Sequence, residues 1–413
     1  MRPLKIALLS RWYWEESHFH YEEGGATRQL AEAVAALGHE VVVLTQSPEV
    51  RKLKKIEIGA LETWASPSEK HHDIFTALRD KMARKTYSHP KVYSDALHLR
   101  EFLARRGPFD VLWAHAESPD GLITAIAARL GVKLPPVLLQ IQSLRHRFEK
   151  GVPVFIEKRP LDLAFRQATR ILASSEIIAN ALPRYAGPGH TVEDLQAKVR
   201  LVYPNLQRAF FRAAEEGPSA PMQDRVLFLG ALNQHKGALV FLRALPKTEA
   251  GKRNSTFAII GDFTEYNKRF IQRWEEAKEA TRVKLLGARM EYLGRVSAFE
   301  VIRQIKLARV VVIPSLFDSF SRGLVEALIL GRPVITTDKV GAAPLVAEYQ
   351  CGIIIAPNDS DALARAIDVV LSPIVPFAEN ALNIGPALGQ EFTPEAVAAQ
   401  IAYHLDRIAA PPK

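Results

Sequence analysis

The stretch "ARVVVIPS" (308–315) carries four consecutive β-branched residues, Val310 to Ile313, with no polar side chain among them. A strand of that kind has no face to offer water. It must be buried on both sides, which is the condition of a parallel sheet covered by helices. Similar short apolar runs recur at "KIALLS" (5–10), "HEVVVLT" (39–45), "FDVLWAH" (109–115), "PPVLLQIQS" (135–143) and "TRILASS" (169–175), each beside a helical pattern. "GGATRQLAEAVAALG" places Leu30, Val34 and Leu37 on one helical face, with Gly38 as the stop. The alternation predicts an α/β fold with parallel sheets.

A chain of 413 residues is longer than one hydrophobic core usually spans, so two domains are expected. The polar, Pro-bearing segment "AAEEGPSAPMQD" (213–224) breaks the pattern, which then restarts with "RVLFLG" (225–230), "STFAIIGD" (255–262) and "ARVVVIPS". The expected division is an N-terminal domain over 1–210, a linker over 211–222, a second domain over 223–390 and a terminal segment over 391–413. That last segment contains "TPEAVAAQIAYHLDRI", an amphipathic helix with Thr393 as cap and Pro394 at its first position.

One cysteine, Cys351, rules out an internal disulfide framework and a Cys-rich metal site. The N-terminal apolar run is too short for a signal peptide, and no stretch approaches about 18 consecutive apolar residues. A cytoplasmic protein is expected. The net charge of +9 draws on "RKLKK" (51–55), "RDKMARK" (79–85) and "HLREFLARRG" (98–107). These read either as solvated faces or as a patch for an anionic partner, a membrane surface or a phosphate-bearing substrate. Neither zinc-finger spacing nor an RNA-binding aromatic signature accompanies them, so nucleic acid is not the expected partner.

Ligands of open parallel sheets bind beyond the carboxyl ends of the strands, and two facing halves would enclose a cleft. Gly24 and Gly25 precede the first helix, where backbone can approach an anion closely, although paired glycines also make plain turns. His115 ends "DVLWAH"; it either donates into the cleft or is satisfied by nearby backbone. Lys236, in "LGALNQHKG" (229–237), can hold a phosphate or be merely solvated. "DSFSRGLVEALILGRPVI" (318–335) places Asp318 beyond the "VVVIPS" strand and Glu326 one turn inside the next helix. Arg322 and Glu326 could form an ordinary helical pair, and Asp318 could be a turn residue. The functional alternative gives Asp318 to a sugar, Glu326 to ribose hydroxyls and the free N–H groups of the helix start to phosphate.

These segments resemble the retaining GT-B glycosyltransferases of family four, the glycosyl transferases group 1. "PSLFDSFSRGLVEALILGRPVI" is similar to their acid-x7-acid segment, and "LGALNQHKG" to their Gly-Arg-Leu-x3-Lys-Gly loop. "GIIIAPNDSDALARAI" (352–367), "YPN" (203–205), the paired Gly24-Gly25 and "FDVLWAH" are similar to further landmarks, so the likeness covers nearly the whole chain. It implies the GT-B fold: two Rossmann-like, doubly wound α/β domains facing across a cleft, with the terminal helix crossing back towards the N-terminal domain. It also implies roles. His115 and Asp318 would serve the transferred sugar, and Lys236 the diphosphate. Glu326 would take the ribose, while Gly24, Gly25 and the backbone of Phe320, Ser321, Arg322 and Gly323 approach sugar and phosphate. The donor would be a UDP- or GDP-sugar used as substrate, with no metal and no further cofactor. The acceptor would be a glycan, a lipid-linked sugar or a small molecule; the basic stretches within 51–107, not the resemblance, add the expectation of peripheral contact with an anionic membrane at its inner face.

Three positions depart from the family pattern. Ala231 replaces an arginine, Gln142 replaces a second histidine, and Ser321 stands where glycine is usual. Arg322 is expected to supply part of the charge lost at Ala231. Two other readings stand beside this one: a non-catalytic or regulatory GT-B nucleotide-binding protein, in which the missing arginine and histidine mark lost activity, and a GT-B nucleotide-sugar epimerase. A nicotinamide oxidoreductase is poorly supported, because neither half carries a G-x-G-x-x-G fingerprint.

Overall fold

The computed structural model describes residues 2–11, 13, 25–67, 91–143, 146–149, 152–155, 158–185, 191–217, 223–252, 255–263, 268–285, 289–372 and 376–409. The chain forms two compact units. Unit 1 comprises Met1–Asn205 with Pro394–Lys413, and unit 2 comprises Leu206–Thr393.

In unit 1 the main sheet contains β1 (Lys5–Leu9), β2 (Glu40–Ser47), β3 (Lys54–Ile56), β4 (Glu62–Pro67), β5 (Val111–Ala114), β6 (Val137–Ile141), β9 (Arg170–Ala173) and β10 (Val199–Leu201). Its order is β10-β9-β6-β5-β1-β2-β4-β3, with β7 (His146–Glu149) and β8 (Val152–Phe155) forming a separate hairpin. Among the described pairs of the main sheet only β3–β4 is antiparallel. Unit 2 orders β11 (Arg225–Leu229), β12 (Thr256–Ile260), β13 (Arg289–Gly294), β14 (Val310–Ile313), β15 (Val334–Thr337) and β16 (Gly352–Ile355) as β13-β12-β11-β14-β15-β16.

Both orders share one logic. The first strand of each unit lies inside the sheet, and the chain winds outward on one side before crossing to the other. The crossing leaves a topological switch point between β1 and β5 in unit 1 and between β11 and β14 in unit 2, and ligands of doubly wound sheets bind beyond such points. The registers Leu9↔Ala114 and Phe228↔Val312 set which loops emerge side by side there. The apolar reading of β14 holds: Val310, Val311, Val312 and Ile313 are at most 2% exposed.

The first helix, Ala26–Ala36, buries Leu30 and Val34 as its periodicity requires. Leu37 does not join that stripe. It is the C-cap residue and is exposed, because the chain leaves the helix there and turns through Gly38. The C-terminal helix, Pro394–Ala409, belongs to unit 1 and packs on Ala26–Ala36, with Val397, Ile401 and Leu405 in one apolar cluster with Leu30 and Val34.

The division between the units differs from the sequence expectation of a linker over 211–222. Residues Arg208–Glu215 form a helix of unit 2 that buries Phe210 and Ala213. The polar composition that suggests a linker begins only after that apolar stripe, and 218–222 lie outside the described residues. The crossing occurs at Asn205 and Leu206. Asn205 donates from Nδ2 to the Ala26 carbonyl at 2.9 Å in unit 1, and the Leu206 N–H donates to the Phe392 carbonyl at 2.9 Å in unit 2.

In unit 2 one glycine fixes how the switch-point loops meet. Gly237 has φ +70°, and a Cβ there would stand 2.0 Å from the Pro314 carbonyl oxygen. The loop after β11 can therefore lie directly against the end of β14 only with glycine at this position. At Gly131, with φ +82°, a Cβ would meet nothing within 4 Å. Gly131→Ala should cost about 1–2 kcal/mol from the left-handed backbone alone. Gly237→Ala should cost at least about 2 kcal/mol more, because backbone must move as well. Denaturant unfolding of the two variants checks the order, and equal losses would contradict it.

Candidate functional site

In unit 2 the site grows from the two loops that leave the switch point. The loop after β11 carries Lys236, whose backbone N–H is held by Asn233 Oδ1 at 2.9 Å. The loop after β14 carries Asp318. Its N–H donates to the Lys339 carbonyl at 3.0 Å, and its own carbonyl accepts from the Gly341 N–H at 3.0 Å. Both backbones are thus pinned, and the side chains meet: Lys236 Nζ lies 2.5 Å from Asp318 Oδ2. The two loops also join through the Leu316 N–H, which donates to the His235 carbonyl at 2.7 Å. Two residues expected to serve different parts of a ligand are therefore ion-paired, with side-chain exposures of 31% for Lys236 and 13% for Asp318.

The helix that follows runs Arg322–Ile329 and buries Leu324, Val325, Ala327 and Leu328. Ser321, its N-cap, sits at φ +76° and makes no side-chain capping bond. That left-handed backbone is the physical reason glycine suits this position. The Leu324 N–H returns to the Ser321 carbonyl at 3.1 Å, whereas the N–H groups of Arg322 and Gly323 lie in the first turn, where a helix offers no internal acceptor. Gly323 lies against the end of β11: a Cβ there would be 3.0 Å from Leu229 Cδ2 and 3.9 Å from Glu326 Oε2. The Glu326 carboxylate accordingly folds back beside the helix start. Phe320 is buried, its ring 5.9 Å from that of Phe392, and its carbonyl accepts from the Ala342 N–H at 2.8 Å.

Glu326 is the most perturbed group of this site. Burial raises its carboxyl from 4.5 to about 7, with the Arg322 guanidinium pulling it down. The helical pair suggested by their spacing does not form as a contact: Arg322 is exposed and makes no ion pair among the described residues, so it acts on Glu326 through its field.

At the switch point of unit 1 stands His115, 5% exposed. The Gln142 amide Nε2 lies 3.4 Å from His115 Nε2, and Ser10 Oγ lies 3.5 Å from His115 Nδ1. The His115 tautomer decides which partner donates at each contact. Both bonds are long and weak. A ring held this way can exchange either partner for a ligand hydroxyl. Gln142 thus touches His115 directly, a link that separation in sequence conceals. Gly25 caps the helix Ala26–Ala36, and Asn205 holds that helix's first carbonyl. Gly24 lies outside the described residues. Nearby, a recess of about 10 Å³, room for no more than one water, is lined by Leu9, Leu44 and Ile123 together with Arg11, Gln46 and Asp120.

Of the basic stretches, Arg51, Lys52, Lys54 and Lys55 are exposed, the last two on the edge strand β3, where lysines also discourage strand addition. Residues 79–85 lie outside the described residues. No described helix is long and apolar enough to cross a membrane.

Comparison with known proteins identifies the family of the chain. Residues 24–193 match the glycosyl transferase 4-like domain, and residues 223–372 match glycosyl transferases group 1. The chain belongs to the group 1 glycosyltransferases. It is 23% identical over 388 residues to a glycogen synthase of Mycobacterium tuberculosis, a match covering 92% of this chain and 89% of that protein. Its fold is that of sucrose-phosphate synthase from Thermosynechococcus elongatus, with TM-score 0.72, 19% identity and coverage of 98% and 99% of the two chains. Anabaena HepE, solved in complex with UDP-glucose, matches with TM-score 0.68, 17% identity and coverage of 98% and 100%. The chain thus has the GT-B fold and is a glycosyltransferase of the hexosyltransferase type.

The raised carboxyl of Glu326 gives a pH signature. Between about 4.5 and 7 the folded protein keeps a proton that the unfolded chain has released. Stability therefore falls as pH rises through that window. Glu326→Gln removes this effect. The variant should gain about 1–3 kcal/mol relative to wild type between pH 5 and pH 8, measured on the unit 2 transition in urea. A stability difference independent of pH would show that burial does not govern this carboxyl.

Proposed function

We propose that this enzyme is a retaining glycosyltransferase that moves a sugar from a nucleotide-sugar donor, a UDP- or GDP-sugar, to a hydroxyl of a glycan, lipid-linked or small-molecule acceptor. The observation that carries the reading is the meeting of Lys236 and Asp318 at the switch point of unit 2, beside the helix start that bears Glu326. A cation and free helix N–H groups suit a diphosphate, and two carboxylates on either side suit hydroxyls. The UDP-glucose bound to Anabaena HepE supports a uridine donor.

In this reaction the bond between the sugar's anomeric carbon and the β-phosphate oxygen breaks. Positive charge develops on the sugar and negative charge on the departing phosphate. Lys236 and the N–H groups of Arg322 and Gly323 stabilise that phosphate without a metal ion. Arg322, exposed at the helix start, adds charge where Ala231 offers none. The acceptor oxygen bonds to the anomeric carbon from the leaving-group side, and its proton passes to the phosphate oxygen just released. Asp318 positions the sugar through its hydroxyls, and Glu326 accepts from the ribose. Unit 1 binds the acceptor, and His115 hydrogen-bonds the transferred sugar. The exposed basic edge 51–55 suits an acceptor held at an anionic membrane surface.

A thermal-shift series with UDP, GDP and their sugars tests the reading, since a ligand that binds only the folded state raises apparent stability. One nucleotide should stand out. Lys236→Ala should lower kcat about 100- to 1,000-fold, and Glu326→Gln should weaken nucleotide binding about tenfold. No shift with any nucleotide would contradict the reading. Binding without transfer to any acceptor extract would favour a regulatory protein, and donor conversion without acceptor an epimerase.

A further inference from the structure

We infer that Asp318 competes with the donor's diphosphate for Lys236, and that its return to Lys236 after transfer helps to expel the spent nucleotide. The inference rests on the donor assignment above and adds to it the control of binding and release.

Lys236 Nζ is already engaged at 2.5 Å by a carboxylate that is itself largely buried. The backbone on both sides is anchored. Asp318 is clamped between the Lys339 carbonyl and the Gly341 N–H, and the Lys236 N–H is tied to Asn233 Oδ1. Only the side chains can therefore yield. The lysine side chain is a flexible four-carbon stem ending in a point charge, suited to changing partners.

A diphosphate entering beside Asp318 must draw the ammonium away. That leaves a carboxylate and a phosphate, both anionic, close together in a partly buried site, where like charges repel strongly. What resolves the conflict differs between substrate and product. The hydroxyls of a donor sugar can donate to the Asp318 carboxylate and replace the ammonium it has lost. A free nucleoside diphosphate brings no such donors, so Asp318 remains unsatisfied. Once the sugar has moved to the acceptor, the carboxylate recovers Lys236 and weakens the hold on the product. One pair of side chains thereby favours the donor over its own by-product.

The test is calorimetric titration of wild type and Asp318→Asn with UDP, GDP, inorganic pyrophosphate and the matching nucleotide-sugars. Thermal unfolding confirms that the variant is folded. Asparagine keeps the shape and the backbone bonds but removes the charge. It should bind the preferred nucleoside diphosphate and pyrophosphate about tenfold tighter, the scale of a partly buried ion pair. The nucleotide-sugar should not gain, and dissociation of the nucleoside diphosphate in stopped flow should slow by a similar factor. Asp318→Ala should shift diphosphate affinity in the same direction. If wild type binds a nucleoside diphosphate and neither folded variant binds it more tightly, the competition is overturned while the donor assignment stands. If wild type binds no nucleotide, the donor assignment fails and takes this inference with it.

Discussion

Lys236 and Asp318 leave the sheet of unit 2 from adjacent strands, β11 and β14, and meet in an ion pair. Their meeting depends on one constraint. A parallel strand buried on both faces, such as Val310–Ile313, has no side chain to spare for chemistry. All polar function is pushed to the loops beyond its end. The winding of the chain then decides which loops become neighbours. Because β11 and β14 pair across the point where strand order reverses, residues 82 positions apart face each other.

The supporting contacts serve that meeting. Gly237 admits the carbonyl of Pro314, Asn233 holds the Lys236 backbone, and Lys339 with Gly341 holds Asp318. The strained Ser321 turns the chain into the helix, so that Gly323 rests on Leu229 and Glu326 folds back beside it. The backbone of these loops is thus anchored within unit 2, and the side chains of Lys236 and Asp318 are what remains able to change partners. Unit 1 repeats the principle on a smaller scale. His115 leaves β5 at that unit's own switch point and is shared between Ser10 and Gln142.

Much of this was legible in the sequence because it rests on local patterns. Apolar β-branched runs mark buried strands, and the helix of Leu324, Val325 and Leu328 has the spacing of a buried face. The family resemblance brought Lys236, Asp318 and Glu326 into one proposed site and gave each a task. The ion pair itself was not legible, because spacing within a chain says nothing about which loops a sheet brings together. Arg322 and Glu326 illustrate the converse. Their four-residue spacing suggests a pair, but burial draws the carboxylate towards Gly323 while the guanidinium stays in solvent. The junction between the units was displaced for a similar reason. Charge and proline near 213–224 outweighed the short apolar stripe of Phe210 and Ala213, which tertiary packing makes into a helix.

The central claim is that the switch point of unit 2 is the donor site and that its ion pair opens to admit the diphosphate. A crystal structure with an intact nucleotide-sugar tests this most directly. The account predicts Lys236 Nζ on a phosphate oxygen, Asp318 on sugar hydroxyls and Glu326 on the ribose, with the Lys236–Asp318 contact broken. A donor bound elsewhere, or bound here with that contact intact, would contradict it.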